Sequence, residues 1–185
     1  LSNPNAHSGT INALAVSGDG KRIVSGGSDT AIRVWTTRRY GGYMPLLLEK
    51  RAAHSAVVAS LDISRDGTRI VSTGGDHVIR VWNASNLSTP LIERYVAVEV
   101  HSVSFSRDGT LIVSGGRQLD SSAGFIRVWK ADDLNSPLSE NTDALSDIVL
   151  GAAFSGDGSR IVSASYDGSI RVWNASNLSS PLLEN

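Results

Sequence analysis

Apolar residues along this chain fall in short runs, each broken by turn-forming residues, and the arrangement recurs. The stretch "INALAVSGDGKRIVSGG" (Ile11 to Gly27) holds two such runs around Asp19-Gly20. It predicts a strand, a tight turn and a second strand, because Asp-Gly readily supplies the positive φ of a hairpin. "AIRVW" (Ala31 to Trp35) follows, rich in β-branched and aromatic residues, and predicts a third strand. "MPLLLE", "TPLIERY", "SPLSE" and "SPLLE" predict short fourth strands. Each has Pro at its start, where a missing N–H does least harm. No window carries an apolar stripe at helical spacing, so no helix is expected.

The pattern is an internal repeat, and "IRVWNASNLS" is written twice, at Ile79–Ser88 and Ile170–Ser179. Trp35, Trp82, Trp129 and Trp173 are separated by 47, 47 and 44 residues. Asp-Gly pairs keep step at Asp19, Asp66, Asp108 and Asp157. The distance from Asp to Trp is 16 residues in units one, two and four and 21 in unit three, so five residues are inserted within "GRQLDSSAG" (Gly116 to Gly124). Units of this size cannot bury both faces of a four-stranded sheet alone, so copies are expected to stack face to face. By the period of two along a strand, Ile79 and Val81 point to one neighbour and Arg80 and Trp82 to the other. The repeated Arg33, Arg80, Arg127 and Arg171 are expected to pack their stems between sheets, with the guanidinium at the rim.

A His, then a Ser-x-Asp-Gly turn, then "IVSGGSDTAIRVW", resembles the WD-repeat family of β-propellers, and the resemblance covers nearly the whole chain. The family's usual Asp after Trp is replaced by Thr36, Asn83, Lys130 and Asn174. The resemblance implies an all-β fold of four four-stranded antiparallel blades. They would span about 7–50, 54–95, 96–140 and 145–185. It also implies an internal hydrogen-bonded tetrad: His7, Ser25, Asp29 and Trp35 in unit one, and His54, Ser72, Asp76 and Trp82 in unit two. Unit three keeps Ser114 and Trp129, with Val96 at the His position and Ala123 at the Asp position unless Asp120 swings in. Unit four keeps Ser163, Asp167 and Trp173, with Leu145 at the His position. Units one and two are therefore expected to be the better-tied blades.

The family's partner face, carried over by position, falls on Thr10, Asn12 and Ser28, then Val57, Ala59 and Gly75. In unit three it falls on Glu99, His101 and Ser122, with Arg117 in the insertion, and in unit four on Ile148, Leu150 and Tyr166. That mixture suits a protein or peptide contact better than a phosphate backbone, which would demand Lys and Arg.

Composition removes most other chemistry. The net charge of −1 predicts no general attraction to nucleic acid or anionic membrane, and the absence of cysteine removes disulfides and thiolate chemistry. No stretch approaches the roughly 18 apolar residues of a membrane span. His7, His54, His77 and His101 form no short-spaced pair of the kind zinc sites use. "SGGSDT" lacks the Lys-Ser/Thr ending and following helix of a phosphate-cradling loop. A hydrolase triad of His, Ser and Asp needs an open Ser Oγ and an oxyanion site, which tetrad residues would not provide. Asn83, Asn86, Asn174 and Asn177 match the glycan acceptor pattern but read as turn-rich loops.

The expectation is a non-enzymatic scaffold for proteins or peptides, without cofactor or metal, and cytoplasmic by resemblance. A lectin-like propeller is the alternative, with Tyr40, Tyr43, Tyr166 or the tryptophans as stacking platforms. Four blades with ordinary angles make about half a ring, so a homodimer completing the ring is expected, with a fragment of a longer chain or an open half-propeller as the alternatives.

Overall fold

The computed structural model describes residues 6–38 and 43–185, and every described strand is antiparallel to its neighbours. Tyr40, one of the candidate stacking residues, lies outside the described residues. The first sheet is β1 (Ile11–Val16), β2 (Arg22–Gly27), β3 (Ile32–Thr36) and β4 (Leu46–Lys50). The second is β5 (Val58–Ile63), β6 (Arg69–Gly74), β7 (Val78–Asn83) and β8 (Ile92–Tyr95). The third is β9 (Val98–Phe105), β10 (Leu111–Gln118), β11 (Gly124–Lys130) and β12 (Ser139–Leu145). The fourth is β13 (Val149–Phe154), β14 (Arg160–Ser165), β15 (Ile170–Asn174) and β16 (Leu183–Glu184). Each is a meander in sequence order, and no helix occurs among the described residues. The prolines sit further out than the sequence suggests: Pro45 stands one residue, and Pro90, Pro137 and Pro181 two residues, before their strands rather than opening them. There the absent N–H falls outside the ladder altogether.

The hairpin between the first two strands is built the same way in each sheet. In the first, Gly20 N–H donates to the Ser17 carbonyl at 2.8 Å, and Asp19 Oδ1 accepts from Ser17 Oγ at 2.7 Å and from Lys21 N–H at 3.0 Å. The positive φ is carried by glycine alone, at 69° for Gly20 and between 72° and 74° for Gly67, Gly109 and Gly158. The aspartate is therefore the clamp and the glycine the bend. The next turn also needs a left-handed residue: Thr30 (φ 64°) in the first sheet, His77 (60°) in the second and Gly168 (85°) in the fourth. In the third sheet the five inserted residues lengthen β10 and β11 instead, with Arg117 paired to Gly124.

The sheets stack as blades, with β1, β5, β9 and β13 side by side along the inner edge. Three apolar cores fill the three gaps. Val24, Ile32 and Val34 meet Val58, Leu61, Ile63 and Trp82 between blades one and two. Ile79 and Val81 meet Val100, Val103 and Phe105 between blades two and three. Val113, Ile126 and Val128 meet Val149, Ala152 and Trp173 between three and four. Ile79 and Trp82 thus serve opposite neighbours, as the period of two requires. A polar tie accompanies this packing on the inner edge: Asp62 of β5 accepts from Phe105 N–H at 2.8 Å and from Ser104 Oγ at 3.1 Å, across the gap. Burial pushes the Asp62 carboxyl up, against the pull of those donors.

Candidate functional site

The most highly bonded polar cluster is internal. In blade one, Trp35 Nε1–H donates to Ser25 Oγ at 2.8 Å, and Ser25 Oγ lies 2.7 Å from His7 Nε2. His7 Nδ1 lies 2.8 Å from Asp29 Oδ1. A serine oxygen that accepts from tryptophan has its own proton to give Nε2, which leaves the Nδ1 proton for the carboxylate. Blade two repeats the chain through Trp82, Ser72, His54 and Asp76 at 2.9, 2.8 and 2.8 Å. Ser25 and Ser72 are fully buried, so the Ser–His–Asp order of a hydrolase is here turned into the sheet, where no substrate reaches.

These networks have a fifth and sixth member that the sequence reading did not place. Arg33 donates to Asp29 at 2.8 Å and to Glu49 at 2.6 Å, and Arg80 donates to Asp76 at 2.8 Å and to Glu93 at 3.1 Å. The arginine is directly opposite the glutamate in all four sheets: Arg33 and Glu49, Arg80 and Glu93, Arg127 and Glu140, Arg171 and Glu184. The guanidiniums are therefore partnered groups within each blade. Burial opposes ionisation of Asp76, but the bonds from Arg80 and His54 outweigh it and hold its pKa at about 2. Asp29 is lowered in the same way, its burial outweighed by His7 and Arg33. Burial depresses the His54 pKa, with Asp76 acting against it.

Blades three and four retain only the tryptophan–serine bond, Trp129 to Ser114 and Trp173 to Ser163, both at 2.9 Å. Val96 and Leu145 occupy the histidine positions and are buried. Asp120 does not swing in; it is exposed in the inserted hairpin. In its place Phe125 is buried, and the Arg127 guanidinium lies 4.9 Å from the centre of its ring. Asp167 accepts from Ser146 N–H at 3.2 Å, as Asp29 and Asp76 do from Ser8 and Ser55, and with no imidazole to meet it also accepts from Ser146 Oγ at 2.8 Å and Ser169 Oγ at 2.6 Å. The Ser169 and Ser146 bonds hold the exposed Asp167 well below the usual carboxylate range.

The residues carried over to a partner face gather at the blade ends opposite the Asp-Gly hairpins. One backbone bond recurs there, from Ser28 to Thr10, from Gly75 to Val57 and from Tyr166 to Ile148, at 2.8 to 3.0 Å. It places each pair side by side at the same height. Val57, Leu150 and Tyr166 are exposed, the last by 72%. Ala59 and Ile148 are half-buried, and Asn12 is spent on a bond to the Val58 carbonyl of the next blade at 3.1 Å. In blade three, Arg117 donates to Glu99 at 2.7 Å, and His101 Nε2 stands 3.6 Å from the same carboxylate, beyond hydrogen-bonding distance. At the opposite end, Arg65 and Arg107 flank a pocket of about 470 Å3 that the sequence reading missed. Asp108 and Asp157 line it too, which offsets the two cations. Among the described residues no group of three or more His, Asp or Glu side chains converges as a metal site. No helix of the structure is long and apolar enough to cross a membrane.

Four-stranded meanders stacked edge-in through apolar faces define a β-propeller type of repeat protein. The chain belongs to the WD domain, G-beta repeat family, whose model matches residues 1–36, 47–83, 95–130 and 137–174. No curated protein matches the chain. WD repeats mark a protein-interaction kind of scaffold.

Proposed function

We propose that this chain binds a protein or an extended peptide, without catalysis, through the blade ends that carry Thr10, Ser28, Val57, Ala59, Glu99, His101, Arg117, Ile148, Leu150 and Tyr166. The reading rests on one observation: Tyr166 and Leu150 on blade four are exposed where its first two strands pair through Ile148, and the Glu99–Arg117 pair holds the equivalent end of blade three. An aromatic anchor beside apolar groups, rimmed by a charged pair, is the composition of a protein contact. One arginine already engaged by a glutamate is poor bait for a phosphate backbone. The lectin alternative is weakened because all four tryptophans are buried, so no stacking aromatic recurs from blade to blade.

The test is selection of displayed peptides against the purified chain, with a glycan array run alongside. Tyr166→Ala and Leu150→Asp are expected to reduce peptide binding at least roughly tenfold, the effect of losing a hot-spot contact. Reproducible sugar binding, or peptide binding untouched by both substitutions, would reject the reading.

A further inference from the structure

Each contact between blades repeats the one before it, so the molecule carries three worked examples of what such a face accepts. The backward face of a blade presents apolar side chains of its inner strand, Val58, Leu61 and Ile63 in blade two. The forward face of the preceding blade receives them with Val24, Ile32 and Val34. Two faces have no neighbour within the chain. On the backward face of blade one, Leu14 is 65% exposed where its counterpart Leu61 is 5% exposed. On the forward face of blade four, Ile170 is 55% exposed where its counterpart Ile32 is fully buried.

The two open faces carry the residues of the closed ones. The forward set of blade four is Val162, Ile170 and Val172, the same residue types as Val24, Ile32 and Val34. The backward set of blade one is Ile11, Leu14 and Val16, close to Val58, Leu61 and Ile63 in size and shape. A polar contact marks the register. Arg22 donates to the Gly67 carbonyl at 3.1 Å, and Arg69 to the Gly109 carbonyl at 2.7 Å, each reaching the hairpin glycine of the next blade. Blade four has Arg160 at this position, exposed, and blade one has Gly20 to offer the carbonyl. We propose that these faces mate between two copies of this chain, head to tail at both ends, so that two four-bladed arcs close into one ring. Contiguous apolar surface of this extent on a soluble chain marks an association site. A head-to-tail contact forms a closed pair when the rotation it imposes is one half-turn.

The existing contacts supply the test pair. A Cβ at Gly26 would stand 2.5 Å from Val58 Cγ1 and 2.9 Å from Leu61 Cδ2, whereas the contact between blades two and three holds the larger Thr73 at this position, fully buried. In the proposed contact the equivalent residues are Ala164 and Leu14. Light scattering after size exclusion is expected to give twice the 19.6 kDa chain over a wide concentration range. Leu14→Arg and Ala164→Asp, both at exposed positions, are each expected to give the single-chain mass with an unchanged circular dichroism spectrum. Mixing the two variants is expected to restore the pair, because one interface then joins Arg to Asp and the other is unaltered. Arg160→Ala is expected to weaken the pair by at least roughly tenfold, since it removes a charged hydrogen bond from each contact. A single-chain mass for the unaltered protein would overturn the proposal. So would a mass that climbs with concentration, a pair that survives either single variant, or a mixture that stays apart.

Discussion

In blade two a buried imidazole joins Ser72 to Asp76, and Arg80 grips the same carboxylate from the other side. In blade four Leu145 fills the place of that imidazole, and Asp167 bonds two serines instead. Both blades keep their tryptophan bonded to a serine and reach the same four-stranded form. The difference teaches that the tryptophan–serine bond and the apolar faces suffice for the blade, and that the histidine network adds rigidity and a dependence on charge. A satisfied polar network stabilises only while every member is present, whereas an apolar replacement has no partner to strand.

The largest separation between the blades is expected from the aspartates. Asp76→Ala leaves His54 and Arg80 without their shared anion and should cost about 3 kcal/mol or more in urea unfolding. Asp167→Ala removes only bonds to exposed serine groups and should cost about 1 kcal/mol. Equal losses would mean that the two carboxylates do the same work. Next in size is His54→Leu, which copies blade four into blade two. It removes the acceptor of the Ser72 hydroxyl proton and one of the partners of Asp76, which keeps Arg80, and should cost about 1–3 kcal/mol.

Acid should separate the blades by a different route. The folded pKa of His54 lies below 6.5, so the unfolded chain binds its proton first, and stability should begin to fall as pH drops below about 6.5. Asp76, at about 2 when folded against 3.8 in the unfolded chain, adds stability that is present above pH 4 and lost as pH falls toward 2. Stability measured against pH should show both descents in the native protein, and His54→Leu should flatten the upper one. The smallest effect is expected at the second turn. Thr30, a β-branched residue at φ 64°, should be relieved by Thr30→Gly, raising stability by about 0.5–1 kcal/mol, and Gly168→Thr should lower it by a similar amount.

Much of this comparison was written in the sequence at short range. The Asp-Gly hairpins, the tryptophan spacing and the alternation that sends Ile79 and Trp82 to opposite neighbours are all local signals, and His7 and His54 stand twelve residues before their turns. The Arg–Glu pairing was not legible. It depends on the register between the third and fourth strands, which are joined by loops that differ in composition, and a single slip would have put each glutamate on the other face. The fate of Asp120 was hidden for a related reason, because five inserted residues extend the hairpin and carry the carboxylate away from Ser114. At the partner face the sequence could name positions but not the bond that commits Asn12 to the next blade.

The sameness of the three blade gaps has a consequence for how such a chain can change length. Val, Ile and Val on one side meet two inner-strand aliphatics and a third apolar residue on the other, Ile63 in the first gap and Phe105 or Phe154 in the next two, so the coupling is of one kind from blade to blade. A unit deleted from the middle, or one more copied in, would meet faces that already accept it, while the variable ends at Glu99, Arg117, Leu150 and Tyr166 would travel along unaltered. Length can therefore vary in whole blades with the joints left as they are, and the diversity of the chain is free to collect on the loops.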